Sequence, residues 1–152
     1  MTPQKAILYR RLLSAGIRSD YDQYIDSLLE EEQPLAELTL ELACSLSDLN
    51  RTVSLLDAYL KTVTWEEAEI YPELLRRLKC LMDKGEITQR TALDALIAAF
   101  STIPWEARWE IPWRAVADLD FDYWEAYYGY SDMNWALDSF EELLREEVKE
   151  HD

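Results

Sequence analysis

The sequence predicts an all-α protein. Three observations carry that expectation. The 152 residues hold only three glycines, Gly16, Gly85 and Gly129. No stretch alternates β-branched and polar residues at the period of two that a half-buried strand needs. Apolar residues recur at helical spacing between Ser, Thr and Pro residues placed where helices start. A chain of this length buries roughly two-thirds of its unfolded surface, enough to fold without disulfide or metal staples. The expectation is a single compact domain, 1–152, of seven or eight helices: stacked antiparallel hairpins over about 3–32, 34–63 and 65–102, closed by an aromatic-rich C-terminal section, 103–152.

Thr2 and Pro3 supply a cap and a first-turn residue for a helix over about 3–15, which Gly16 stops. Ser19 is placed to cap a second helix ending in the cluster Glu30, Glu31, Glu32. Pro34 opens a third that runs to about Leu46. Its leucines Leu35, Leu38, Leu42 and Leu46 lie on one side and Leu40 and Cys44 on the other, which reads as a central, enclosed helix with Cys44 as a small hydrophobe. Ser47 is placed to cap a fourth, carrying Leu49, Val53, Leu56, Leu60 and Val63. The run from Leu42-Ala43 through Asp48-Leu49 to Val53 and Leu55-Leu56 resembles the helix pair of ankyrin-type repeats in its spacing. It occurs once and lacks the repeat's turn motif, so the resemblance implies helical-hairpin stacking and carries no function.

Thr64 and Glu67 fit a capping box ahead of a fifth helix to Lys84, which Pro72 is expected to kink or split. Gly85 ends it and Thr88 caps a sixth. The segment from Ala92 to Phe100, apolar save for Asp94, marks that helix for burial. Beyond Thr102, Ile103-Pro104-Trp105 is echoed by Ile111-Pro112-Trp113, and each proline is expected to start a short helix. A helix over about 120–128 then ends at Gly129. Ser131 is placed to cap a last one over about 132–149, with Met133, Leu137, Phe140, Leu144 and Val148 as its core stripe.

Charge narrows the partners. Fifteen basic against 31 acidic residues give a formal charge of −16. A field of that sign repels phosphate backbones and anionic lipid, so neither nucleic acid nor a membrane is expected as a direct partner, and a basic protein is favoured. The longest apolar run, Ala95 to Phe100, is far too short to span a bilayer. Cys44 and Cys80 lie far apart and form no C-x-x-C motif, which fits a reducing cytoplasm. His151 is the one histidine, which excludes His-based triads and H-E-x-x-H zinc sites. Asp118-x-Asp120-x-Asp122 starts like a calcium loop, but Tyr123 stands where its glycine belongs and Gly129 where its glutamate belongs. No cofactor, metal or catalytic constellation is expected.

One stretch stands apart. Between Arg114 and Arg145 there is no Lys or Arg, while Asp118, Asp120, Asp122, Glu125, Asp132, Asp138, Glu141 and Glu142 share the segment with eight aromatics. On a helical wheel Phe121, Trp124 and Tyr128 share one face, which is assigned to the core. Tyr123, Tyr127 and Tyr130 take the next, and Asp118, Asp122 and Glu125 the third. The expected binding patch is therefore Tyr123, Tyr127, Tyr130 and Trp135 as anchors, with Asp118, Asp120, Asp122 and Glu125 supplying charge. The function expected of it is a non-enzymatic acidic module that docks on a basic protein, inhibiting or neutralising it. In size and charge, though in no motif, the chain resembles bacterial immunity proteins. Two alternatives stay open: a small enzyme with paired carboxylates in a Trp-lined cleft, and a helical scaffold or regulatory subunit that uses its hairpin surface, the C-terminal aromatics being structural; a homodimer through exposed aromatics stays open as well.

Overall fold

The computed structural model describes residues 1–18 and 20–149; Ser19, expected as a helix cap, and His151 lie outside the described residues. Among the described residues every regular element is helical. The helices are α1 (Pro3–Ser14), α2 (Tyr21–Glu31), α3 (Glu37–Cys44), α4 (Leu49–Leu60), α5 (Glu67–Asp83), α6 (Gln89–Ser101), a 3-10 helix (Trp105–Trp109), α7 (Arg114–Tyr127) and α8 (Met133–Lys149). They fall into two compact units, Met1–Glu66 and Glu67–Asp152.

In the first unit α1 packs on α4, α2 on α3, and α3 on α4. Thr2 caps α1 by accepting the Lys5 amide at 3.2 Å. Leu8, Leu12 and Leu13 of α1 join Ile25, Leu42 and Leu56 in a fully buried core. Helices α1 and α2 meet through rings: Tyr9 stacks on Tyr24 at 5.0 Å and meets Tyr21 edge-on at 5.5 Å. The α3–α4 turn is clasped by buried hydroxyls. Thr52 Oγ1 donates to the Ser45 carbonyl at 2.8 Å and lies 2.9 Å from Ser45 Oγ.

Two expectations for this unit need correction. Helix α3 begins at Glu37 rather than Pro34, and it is not enclosed: Thr39 and Leu42 are buried, while Leu35, Leu40 and Cys44 are exposed. Leucines on two sides of a helix do not by themselves supply two neighbours. Its partners α2 and α4 cover the face of Thr39 and Leu42, and the other leucines stay in water, a common fate for scattered apolar residues. Helix α4 is capped by Asp48, not Ser47, through a 3.1 Å bond from the Arg51 amide, and its buried stripe is Thr52, Leu56 and Leu60 with Leu49 exposed.

In the second unit α5 packs on α6 and α8, while α7 packs on α6, α8 and the 3-10 helix. Helix α5 runs unbroken through Pro72, so the proline costs it a hydrogen bond without splitting it. Thr88 caps α6 by accepting the Thr91 amide at 3.0 Å, and α6 is the buried helix its composition predicts, from Ala92 to Phe100. Trp113 is fully buried, edge-on to Tyr71 at 5.0 Å, with its indole N–H donating to Glu67 Oε2 at 2.8 Å. The last helix buries Ala136, Phe140, Leu144 and Val148, and Asp132 rather than Ser131 holds its first turn by accepting the Asn134 amide at 2.9 Å.

The tandem prolines behave differently from each other. Pro104 precedes the 3-10 helix as expected, but Pro112 sits in a turn that leads into α7. Helix α7 therefore begins at Arg114 instead of near residue 120, because Trp113 anchored in the core fixes where the chain re-enters a helix.

Candidate functional site

The phase of α7 decides which aromatics reach solvent. Val116, Leu119 and Tyr123 form its buried stripe at helical spacing. The Tyr123 hydroxyl donates to Asp94 Oδ1 at 2.8 Å, and the Arg90 guanidinium lies 5.7 Å from its ring centre, both from α6. Burial, aided by the Asp94 bond, pushes the Tyr123 phenol up from its usual range. With Tyr123 inward, Phe121, Trp124, Tyr127 and Tyr128 turn outward, at 65%, 39%, 57% and 68% exposure. The faces assigned from the sequence are thus inverted for Tyr123, Phe121, Trp124 and Tyr128. Aromatics occupy so much of this helix that periodicity alone cannot choose its inward face; the Asp94 and Arg90 partners on α6 make that choice.

Three of the outward rings, Trp124, Tyr127 and Tyr128, form one contiguous cluster. Trp124 meets Tyr127 edge-on at 5.2 Å and stacks with Tyr128 at 5.9 Å. Its indole N–H donates to Asp120 Oδ1 at 3.1 Å, which fixes the ring plane. Past the end of α7, Gly129 at φ 86° lets the Tyr130 amide reach back to the Glu125 carbonyl at 2.8 Å, which closes the helix and projects Tyr130.

Across from α7, the 3-10 helix presents Trp105 and Trp109, their rings 5.6 Å apart and nearly perpendicular, both more than half exposed. Arg108 lies beneath them. It donates to the carbonyls of Ile103 at 2.9 Å and Ser101 at 2.8 Å, with its guanidinium carbon 5.4 Å from the Phe100 ring centre and 5.8 Å from that of Trp105. Between the two elements runs a groove of about 370 Å³, walled by Trp105, Trp109, Phe121, Trp124, Tyr128 and Tyr130, with Arg108, Asp120 and Glu125 as its charged groups.

Asp120 is the group most altered by this setting. Burial raises its carboxyl pKa, opposed by the Trp124 hydrogen bond and by the Arg108 charge. The carboxylates of Asp118, Asp122 and Glu125 make no hydrogen bond or ion pair among the described residues. Of the residues expected in the patch, Asp120, Glu125 and Tyr130 line the groove and Tyr127 packs on its Trp124 wall. Tyr123 is in the core, and Asp118 faces a separate depression with Ile111 and Arg114. Trp135 is 69% exposed on α8 and makes no ring contact. The groove residues missing from the expected patch include Trp105, Arg108, Trp109, Phe121, Trp124 and Tyr128. The i, i+4 spacing of Trp105 and Trp109 was the available signal for two of them.

No protein-family model, curated protein or solved structure matches the chain. Function must therefore rest on the chemistry of the groove and its rim. Among the described residues no helix is long and apolar enough to cross a membrane, and no three His, Cys, Asp or Glu side chains are grouped to hold a metal ion.

Proposed function

We propose that the protein is a non-enzymatic, acidic protein-binding module that docks on a basic protein through the aromatic face of α7 and the 3-10 helix, inhibiting or neutralising that partner. One observation carries the reading: solvent-facing Trp, Tyr and Phe rings on α7 and the 3-10 helix share that surface with Asp118, Asp122 and Glu125, whose carboxylates form no ion pair among the described residues. Large exposed aromatic patches mark interaction sites, and Trp and Tyr are the residues that anchor them. The net charge of −16 makes a basic surface the complementary partner, whereas phosphate backbones and anionic lipid are repelled. The combined variant Asp118→Asn, Asp120→Asn, Asp122→Asn, Glu125→Gln tests it. Against a basic protein recovered with the wild type at low salt, the association rate is expected to fall about ten-fold or more and to lose most of its salt dependence. Unchanged association would remove the reading.

A second reading is favoured by the groove itself: a carboxylate-based hydrolase acting on sugars, since Asp120 with its raised pKa shares a Trp-lined groove with Glu125. Turnover of aryl glycosides that is abolished separately by Asp120→Asn and by Glu125→Gln would support it. Absence of turnover across such a panel returns the groove to binding.

A further inference from the structure

We propose that the groove between the 3-10 helix and α7 receives a single arginine side chain of the basic partner. The inference rests on the docking reading and specifies its anchor. At about 370 Å³ the groove has the size of a small-ligand or side-chain site, not of a flat interface. Trp105, Trp109 and Trp124 among its walls are indoles, the aromatic faces that attract cations most strongly, and Phe121, Tyr128 and Tyr130 add further rings. Its carboxylates, Asp120 and Glu125, face one resident guanidinium, so one negative charge is left without a partner.

The resident cation shows what these walls accept. Arg108 already rests against Phe100 and Trp105, and two of its N–H groups are spent on the carbonyls of Ser101 and Ile103. It lines the groove, and among the described residues it makes no hydrogen bond to Asp120 or Glu125. An incoming guanidinium can lie flat on an indole and direct paired N–H groups to a carboxylate at once. A lysine ammonium is more strongly hydrated, lacks a plane to stack, and gains less from the same walls. A neutral apolar side chain would take the two carboxylates further from water with no counter-charge.

The test is an NMR titration of the ¹⁵N-labelled chain with three blocked tetrapeptides, of arginine, of lysine and of citrulline, the last being arginine's neutral isostere. The arginine peptide is expected to shift the indole N–H signals of Trp105, Trp109 and Trp124 and to bind about five-fold tighter than the lysine peptide, with citrulline weaker than both. Glu125→Gln and Trp109→Ala, both changes at solvent-accessible positions, should each bring arginine affinity down to the lysine level with the far-UV circular dichroism unchanged. Equal binding of arginine and lysine peptides at these signals would overturn the arginine groove and leave the docking reading standing. Equal binding of citrulline would overturn it in favour of a neutral stacking ligand. Shifts confined to residues outside the 3-10 helix and α7, or none at all, would overturn both.

Discussion

Tyr9, Tyr21 and Tyr24 in the first unit and Phe121, Trp124, Tyr127 and Tyr128 in the second are similar concentrations of aromatic side chains put to opposite use. The tyrosines close the α1–α2 contact, with Tyr9 and Tyr21 at 2% and 0% exposure. On α7, Trp124, Tyr127 and Tyr128 touch one another and, with Phe121, face water. Charge differs in degree. Around α1 and α2 three acids are paired, Asp57 with Arg10 at 2.6 Å, Asp22 with Arg18 at 2.7 Å and Glu32 with the terminal amine at 3.0 Å, while Asp26, Glu30 and Glu31 are exposed. On α7, Asp118, Asp122 and Glu125 have no such partner among the described residues. Helix α7 does not lack neighbours, since α6, α8 and the 3-10 helix all contact it. Under the docking proposal its outward rings and acids serve recognition instead of packing, so their removal should leave the fold's stability nearly unchanged.

The largest effect that would test this division lies within the second unit. Trp113→Ala removes a fully buried indole and its bond to Glu67, and should cost about 3–5 kcal/mol in urea unfolding. Phe121→Ala, Tyr128→Ala and Trp135→Ala should each stay within about 0.5 kcal/mol. Comparable losses from the exposed set would make those rings structural and break the comparison.

In the first unit the next effect is alkaline. Burial is the main cause that pushes the Tyr21 and Tyr24 phenols from 10.0 up to about 12. Between those values the native state keeps protons that the unfolded chain releases, so stability falls as pH rises from 10 to 12. Helicity should decline over that window in step with phenolate absorbance. Tyr21→Phe with Tyr24→Phe should flatten the decline, and at Tyr21 the removed hydroxyl has no hydrogen-bond partner among the described residues to lose. A decline that persists in the double variant would place the alkaline sensitivity elsewhere. A smaller loss, about 1 kcal/mol, is expected for Thr52→Val, which removes the buried contacts of Thr52 Oγ1 with Ser45 while the Ser45 hydroxyl keeps the Leu42 carbonyl and the Ser45 carbonyl keeps the Asp48 amide.

Much of this was legible in the sequence. Thr2 with Pro3, Thr88, and the apolar run from Ala92 to Phe100 gave the caps of two helices and the burial of one directly, because capping and periodicity are local signals. Locality also explains the failures. The exposure of Leu40 and Cys44 depends on how many helices reach α3, and the face on which Tyr123 falls depends on Asp94 and Arg90, some thirty residues upstream in the chain. The acids Asp120 and Glu125 and the ring of Tyr130 were foreseeable as a patch. Their union with Trp105 and Trp109 was not, since the turn at residues 111–113 that folds the 3-10 helix against α7 has no strong signature.

The smallest effect is the one that joins the groove to the energetics of the fold. Asp120 has its carboxyl pKa raised above the usual 3.8, chiefly by burial, so over the window from 3.8 up to that raised value the native state holds a proton the unfolded chain has lost. Stability therefore falls as pH rises through the window and stays lowered above it. Asp120→Asn keeps an oxygen to accept the Trp124 indole N–H but carries no charge. Its melting temperature should match the wild type's below about pH 3.8, the ordinary carboxyl value, and exceed it at neutral pH. A difference that does not change with pH would mean that the carboxylate is not desolvated by the groove. The same substitution should weaken capture of the arginine peptide, because it removes one of the two carboxylates available to the guanidinium. Gain of stability together with loss of binding is the pattern of a residue retained for recognition at the expense of the fold. A variant that gained stability and bound as before would leave Glu125 as the only carboxylate the groove needs.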